Sequence, residues 1–342
     1  MTFLSRNSSV TCPLYNKIHY YSAKLMVEVL LPLLAVLIFW IGCFLPSAAF
    51  AVEQDAAFFN AQIAGLSALA PFPRVQAAAR LGQLKNSAAI PHLVKALKDP
   101  APSVRRQAAD SLGLLRASGV VAELGAILNL DRDIQVRQAA ALALGAMPDK
   151  SAVPFLLKCL RDKSVSVVFP CVQTLGDLRE DSAVRPLRRL LGNPSPDVKA
   201  AVITALGQIG SDEAYVALQS ESGKKRTQAE EAASVEALGG FSRPDSLDKA
   251  KRALASPNEK VKVAACFALA RLKDRSETAA CSALLDSTDP GVRRSAARAL
   301  GMMGDVSALP VIEEALKNER DEQVTQELKF SSEGLRIKAR KQ

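Results

Sequence analysis

The sequence predicts an all-α fold: a right-handed α-solenoid, or superhelix, of about eight to nine helix-turn-helix repeats with a period near 31 residues. A string of the form Val-Arg-x-x-Ala-Ala-x-x-Leu-Gly recurs in eight copies that all close at a small residue. The closing residues are Gly82, Gly113, Gly145, Gly176, Gly207, Gly239, Ala270 and Gly301. Their spacing of 31 or 32 residues indicates repeated structural units. A content of 49% hydrophobic but only 5% aromatic residues also favours many small-residue helices over a β-sandwich.

The first 51 residues form a leader that differs in character from the rest of the chain. Three basic residues precede an apolar stretch at about 29–50, and Ala49-Phe50-Ala51 places small residues where a signal peptidase cuts. We therefore predict an exported protein, periplasmic or extracytoplasmic, with cleavage after Ala51. Two alternatives stay open: an uncleaved anchor in the inner membrane, because the stretch is near the length that spans a bilayer, and a lipoprotein processed at Cys43.

The segment after the leader, residues 52–72, is predicted to be an N-terminal capping helix. Its apolar residues recur at helical spacing and would face inward: Phe58, Phe59, Ile63 and Leu66. The solenoid is predicted to follow at 73–334, and a basic tail at 335–342.

The charge of the chain argues against a nucleic-acid partner. The net charge is +9, and removal of the leader takes away three basic residues and one acidic residue, which leaves +7. After the leader the chain has no Trp, and Tyr215 is its only Tyr. Nucleic-acid sites combine clustered positive charge with stacking aromatics. We therefore predict no nucleic-acid binding, and membrane contact only through residues 1–51 if they stay attached.

Each repeat is predicted to be a pair of helices. In the second helix, the first, fifth, sixth and ninth places of the string form one buried stripe, as at Val104, Ala108, Ala109 and Leu112. The first helix begins near a proline such as Pro91, where a missing N–H is tolerated. The closing glycine is expected to take the left-handed conformation that ends many helices.

A polar residue five places before the Val and a basic residue directly after it recur along the chain. The polar residues are Asp99, Asp131, Asp162 and Asn193, and the basic residues are Arg105, Arg137, Lys199, Lys262 and Arg293. This pattern resembles the Asp and Arg ladder of HEAT repeats. The proline-bearing first helix and the short period are most similar to the HEAT-like, armadillo-like helical class named after phycobilin (PBS) lyases. The resemblance covers about Arg74 to Gly334.

That resemblance implies a curved superhelix with the second helices on its concave side and a role in protein binding. We read the ladder residues as ties between repeats. The predicted function is a non-catalytic scaffold or adaptor for a protein partner. An enzyme related to the HEAT-like bilin lyases or hydroxylases stays open as an alternative, and so does a membrane-tethered structural element.

Residues for catalysis are scarce. His92 is the only histidine after the leader, and the sequence lacks the paired His-Glu motifs with which the similar repeats of deoxyhypusine hydroxylase bind iron. We therefore expect no catalytic residue, no metal site and no cofactor.

Four cysteines follow the leader: Cys159, Cys171, Cys266 and Cys281. Export permits disulfides, and Cys159 and Cys171 fall on the two helices of one unit. They are predicted either to form a disulfide or to be buried as small hydrophobic residues.

The third and seventh places of the string point away from the buried stripe and provide the candidate partner-binding residues. These are Arg106, Asp110, Gln138, Leu142, Phe169, Gln173, Val263 and Phe267. Apolar residues at these places are what a partner segment would bury, although tight curvature that hides them is an equal alternative. We expect Gln138, Leu142, Phe169 and Gln173 to form part of one partner groove.

The sixth unit departs from the pattern. Residues 219–226 are polar and basic, and Glu230-Glu231 replaces the usual Val-Arg. This unit is predicted to be either a hinge, where stacking is weak, or a local binding loop.

Overall fold

The structure, a computed structural model, describes residues 55–117, 119–220 and 226–341. The leader and its cleavage site lie outside the described residues. Within them the regular elements are all helices, with no strand, which confirms the all-α prediction. Every helix of the described ranges is too short or too polar to cross a membrane. The chain divides into two compact units, residues 1–64 and 65–342, and each is taken by itself below.

The described part of the first unit is helical. Helix α1 covers 55–65 and is therefore shorter than the predicted capping segment of 52–72. Phe58, which the predicted stripe places inward, is 46% exposed.

The second unit is a row of helix pairs. In chain order its helices are α2 Pro71–Gln83, α3 Ile90–Ala96, α4 Pro102–Leu114, α5 Val121–Leu130, α6 Ile134–Gly145, α7 Val153–Cys159, α8 Val165–Asp177, α9 Val184–Leu190, α10 Pro196–Ile209, α11 Asp212–Gln219, α12 Gln228–Ala237, α13 Pro244–Ala253, α14 Glu259–Arg271, α15 Thr278–Ser282, α16 Pro290–Met303, α17 Leu309–Asn318 and α18 Glu322–Ala339. Even numbers mark the second helices of the repeats, and odd numbers from α3 mark the first helices. Each second helix packs against the second helix before and after it, so they form one continuous row.

The predicted buried stripe is confirmed on α4, where Val104, Ala108, Ala109 and Leu112 are all fully buried. Alanine in this stripe lets neighbouring helices approach closely. Because one pair cannot cover its own apolar faces, burial depends on the adjacent pairs, and the unit is an α-solenoid.

The closing glycines lie inside the second helices or, at Gly239, in the short 3₁₀ helix that follows α12, so the prediction that they take a left-handed conformation is wrong. A Cβ at Gly207 would lie 2.6 Å from the Cα of Ala237, and one at Gly113 would lie 3.0 Å from the Cα of Ala143. Glycine is needed at this place because the backbones of successive second helices touch there. A left-handed residue comes three places later, as at Arg116 with φ 46°.

The predicted ladder ties each second helix to the turn of the next repeat. Arg137 donates from Nε to Oδ2 of Asp162 at 2.7 Å and from Nη2 to Oδ1 at 3.1 Å. Its Nη1 donates to the carbonyl of Asp131 in its own turn at 3.0 Å. Burial raises the pKa of Asp162, but the hydrogen bonds from Arg137 and from the N–H of Ser164 outweigh it, so this pKa is lowered. Equivalent pairs are Arg74–Asp99, Arg105–Asp131 and Arg293–Glu319.

The ladder is interrupted in the middle of the row. Val168 replaces the basic residue on α8 and is buried. Lys199 on α10 pairs with Glu230 at 2.8 Å instead of with a turn aspartate. Glu230 is itself buried at the start of α12, where it forms a capping box with Thr227.

Aromatic and charged contacts surround the sixth unit. The rings of Tyr215 on α11 and Phe241 are 5.1 Å apart and edge to face. Arg243 and Lys249 both lie over the Tyr215 ring, at 4.5 and 5.5 Å from its centre, and the Tyr215 hydroxyl donates to Asp245. These contacts join α11 to α13 where the repeat pattern of apolar residues is weakest. The hinge and the binding loop both stay predictions.

The C-terminal segment is helical beyond the predicted start of a tail at 335. Helix α18 continues to Ala339, because Leu335 is fully buried in the terminal core with Ile312 and Leu328. Arg336 donates to Glu313 at 2.8 Å, which holds the predicted basic segment on the solenoid.

Candidate functional site

Four of the predicted binding residues meet in one groove on the row of second helices. Gln138 and Leu142 come from α6, and Phe169 and Gln173 come from α8. The groove has a volume of about 910 Å³, and α10 completes it. Its other lining residues are Val165, Ser166, Pro170, Asp177, Asp197, Ala200, Ala201, Thr204 and Gln208. We call it the α6–α8–α10 groove.

The middle of the groove is apolar. Leu142 is 52% exposed and Val165 is 45% exposed, while Phe169 is half-buried. Ala200 and Ala201 of α10 face the same space, and their small side chains leave it open. Exposed apolar side chains beside an open space are the part of this surface that gains most from being covered.

A proline alters the backbone of α8 at the groove. Pro170 lies inside the helix and has no N–H, so the α-helical bond from residue 170 to the carbonyl of Ser166 cannot form. The hydroxyl of Thr174 donates to the carbonyl of Pro170 at 2.8 Å, one turn further along α8. Ser166 and Pro170 both line the groove, so the missing helical bond falls in the stretch of α8 that forms its wall.

The polar groups of the groove are amides and carboxylates. Nε2 of Gln208 donates to Oδ1 of Asp177 at 2.9 Å, at the end of α8 and α10. Asp197 is exposed in the first turn of α10. Among the described residues that line the groove, none is Lys, Arg or His. The groove is therefore acidic within a chain that is basic as a whole.

Arg106 and Asp110 lie on α4, outside the groove lining. Nη1 of Arg106 donates to Oε1 of Gln135 on α6 at 2.9 Å. Burial raises the pKa of Asp110, and the nearby positive charge of Arg106 offsets this only in part. These two predicted residues therefore form a separate polar patch on the same row of helices.

Val263 and Phe267 were predicted to face outward on α14, and the structure places both of them against the core. Val263 is only 6% exposed and belongs to the buried core around α14, and Phe267 packs against that core. Val263 is therefore covered, which is the alternative explanation that the sequence left open, whereas Phe267 stays partly exposed. We correct the prediction that Val263 presents a binding surface, and Phe267 stays a predicted binding residue.

Val165, Asp177 and Asp197 are among the lining residues that were not predicted. Val165 lies four places before Phe169, and Asp177 lies four places after Gln173, so both share the exposed face of α8. Extension of the third and seventh places by one helical turn in each direction would have identified Val165 and Asp177, but not Asp197, which lies three places before Ala200 at the third place of α10.

The four described cysteines form two disulfides. Cys159 is bonded to Cys171 and Cys266 to Cys281, with Cα–Cα distances of 6.4 and 5.9 Å. All four are buried, and of the two alternatives for the first pair the structure shows the disulfide. The second pair was not predicted, although Cys266 lies in the buried stripe of α14 and Cys281 on the next first helix. The first bond fixes α7 to α8, which supplies Phe169 to the groove.

Residue types that bind metal ions are not clustered in the groove among the described residues. His92 is exposed on α3, away from the groove lining. Within 55–117, 119–220 and 226–341, no three His, Cys, Asp or Glu side chains are grouped so that they could hold a metal ion. The groove offers surface, hydrogen bonds and negative charge.

Comparison with known sequences gives one family. The sequence profile described as HEAT repeats matches residues 63–133, 90–169, 121–192, 169–239 and 247–331. The first four matches overlap, the fifth follows them, and together they span most of the solenoid. The search of curated proteins gave no significant match.

Three solved structures illustrate similar chains. The complex of CpcE and CpcF of phycocyanin lyase from Nostoc sp. PCC7120 is 23% identical, covering 72% of this chain and 94% of the other, with a TM-score of 0.43. Human deoxyhypusine hydroxylase in complex with glycerol is 23% identical, covering 75% and 99%, with a TM-score of 0.35. An engineered protein, a structural genomics target, is 20% identical, covering 84% and 91%, with a TM-score of 0.42.

Proposed function

Because the chain belongs to the family of HEAT-repeat proteins, we propose that it is a non-catalytic scaffold or adaptor, exported from the cytoplasm, that binds a partner protein in the α6–α8–α10 groove. HEAT repeats generally mediate protein–protein interaction. The fold alone does not fix a function, so the proposal depends on the groove.

The observation on which the proposal rests is the meeting of Gln138, Leu142, Phe169 and Gln173 around one open space. Leu142 is an exposed apolar side chain and Phe169 a half-buried one, and the two glutamines supply donors and acceptors beside them. An apolar patch with a polar rim is the usual composition of a surface that a protein segment covers.

Helix α8 departs from the repeat pattern where it lines the groove. It has Val168 in place of the ladder cation, Phe169 at an outward place and Pro170 inside the helix. Departures from the local sequence pattern of a fold occur most often at functional sites. This favours the α6–α8–α10 groove over the rest of the row.

Export is supported by two independent features. The sequence of the leader has the order of a signal peptide, and the two disulfides are typical of an oxidising compartment. N-terminal sequencing of the mature protein tests this part of the proposal. A start at Val52 supports export with cleavage, whereas a retained leader supports the membrane-tethered alternative.

The binding role is tested by affinity capture from the native cell envelope with four versions of the full chain: wild type, Leu142→Ala, Phe169→Ala and the control Leu130→Ala. Leu130 is 73% exposed but lies on α5, a first helix outside the groove. We expect a specific protein to be retained by wild type and Leu130→Ala and to be lost with both groove variants. Retention by both groove variants, shown by circular dichroism to be folded, would contradict the proposal.

A further inference from the structure

The two carboxylates of the α6–α8–α10 groove lie at its opposite ends. Asp197 is in the first turn of α10, and Asp177 is the last residue of α8. The bond from Gln208 to Asp177 shows that the C-terminal parts of α8 and α10 lie side by side at the same level. Asp197 precedes Gln208 by eleven residues of α10, and a rise of 1.5 Å per residue separates the two acidic ends by about 16 Å.

The space between the two carboxylates is mainly apolar. Leu142, Phe169, Ala200 and Ala201 line it with the polar Gln173 and Thr204 beside them, and among the described lining residues there is no cation to neutralise Asp177 or Asp197. The α8 end should attract a cation more strongly, because Asp177 adds its charge to the negative end of the helix dipole. The positive end of α10 partly offsets Asp197.

We propose that the occupant of this groove is an amphipathic helix of the partner protein, with an apolar centre flanked by a lysine or arginine at each end, eleven residues apart. Residues eleven apart in an α-helix are about 16 Å apart and lie on nearly the same face. An extended strand covers that distance in about five residues, but its two ends then point to opposite faces. The helix is the form that brings both cations and the apolar centre to the groove together.

This inference rests on the proposed function, and its test uses defined peptides in place of the native partner. The first probe is a fluorescein-labelled, alanine-rich helical peptide of about eighteen residues, with two lysines eleven places apart and leucines four and seven places after the first lysine. The second probe has glutamates in place of both lysines. A third probe moves the second lysine to six places after the first, which puts it on another face.

We expect the full chain to bind the first peptide at least about tenfold more tightly than the glutamate and the misplaced-lysine peptides, by fluorescence anisotropy at low salt. The Asp177→Asn/Asp197→Asn double variant should reduce that preference to about threefold or less. Of the two single variants, Asp177→Asn should reduce the preference more than Asp197→Asn. Asp181→Asn, which changes an exposed aspartate outside the groove lining, should leave it unchanged.

Equal binding of the three peptides, or a preference that survives the double variant, would overturn the inference. A different result would contradict the proposed function: capture of the native partner protein that is unchanged by Leu142→Ala and by Phe169→Ala. Dependence of that capture on the groove residues, together with peptides that show no charge preference, would retain the scaffold and reject only the cationic helix.

Discussion

The guanidinium of Arg105 holds the carboxylate of Asp131 in the next turn by two parallel hydrogen bonds, from Nε to Oδ2 at 2.7 Å and from Nη2 to Oδ1 at 2.9 Å. A third group, Nη1, donates to the carbonyl of Asp99 in the turn of its own repeat at 2.9 Å. One side chain therefore joins two successive turns. The planar fork of arginine makes this bidentate contact, which a lysine cannot reproduce.

The Arg105→Ala variant should lower the free energy of unfolding by about 2 kcal/mol, because it removes two donors from the largely buried carboxylate of Asp131, which keeps the N–H of Asp133. Arg105→Lys should recover only part of this loss. Arg185→Ala is the control, since its pair with Glu213 is exposed and should contribute less than about 0.5 kcal/mol. Urea unfolding measures all three, and equal effects of Arg105→Ala and Arg185→Ala would contradict the structural role of the ladder.

The last ladder pair should make stability depend on pH. Two hydrogen bonds from Arg293 lower the pKa of Glu319 from 4.5 to about 2, more than burial raises it. A lowered folded-state pKa gives stabilisation that is complete above about pH 4.5 and is lost as the pH falls towards 2. Unfolding should therefore show wild type to be more stable than Glu319→Gln at neutral pH, with the difference shrinking below pH 4.5.

A matched control for the pH series is Glu123→Gln, which removes an exposed carboxylate on α5. Its stability should follow that of wild type across the same range. A constant difference between wild type and Glu319→Gln from pH 7 to pH 2 would show that ionisation of Glu319 is not linked to folding.

The repeats could be predicted because periodicity and burial are linked in a solenoid. The stripe of Val104 and Leu112 appears in the sequence as apolar spacing and in the structure as full burial. The groove was predicted only in part. Phe169 and Val263 occupy the same third place, yet one lines the groove and the other is in the core. The packing of the neighbouring helices therefore decides whether the third place is exposed, and the residue at that place does not encode it.

The disulfides lie in repeats where the ladder is altered. Cys171 is on α8, which has Val168 at the ladder place, and Cys266 is on α14, which has Lys262 there. The bond from Cys171 ties the two helices of one repeat, and the bond from Cys266 ties α14 to the first helix of the next repeat. The sequence shows an altered ladder place and a cysteine on the same helix, and the packed helices show which cysteine each one bonds.

Replacement of both members of a pair by alanine, in Cys159→Ala/Cys171→Ala or in Cys266→Ala/Cys281→Ala, should lower the free energy of unfolding by up to about 3 kcal/mol. The reason is that the unfolded chain regains the freedom of a loop of this length, whose cysteines are 12 or 15 residues apart. Urea unfolding with and without a reducing agent measures the effect.

Reducing agent should destabilise wild type by more than either double variant, because each double variant retains only one bond to lose. A protein with all four cysteines replaced provides the control and should be insensitive to the reagent. Sensitivity that does not depend on the cysteine replacements would place the effect outside the disulfides.

Substitution by alanine should lower the stability of the protein at Gly207 and raise it at Gly334. A Cβ at Gly207 on α10 would lie 2.6 Å from both Cα and Cβ of Ala237, and the neighbouring helix backbone cannot move aside without disturbing α12. Gly207→Ala should therefore destabilise the protein by about 1–3 kcal/mol through overpacking. At Gly334 in α18 a Cβ meets nothing within 4 Å, so Gly334→Ala should stabilise by up to about 1 kcal/mol through helix propensity alone. Thermal and urea unfolding of both variants measure whether each substitution raises or lowers stability. Destabilisation by Gly334→Ala, or stabilisation by Gly207→Ala, would refute close backbone contact as the reason for the repeated glycine.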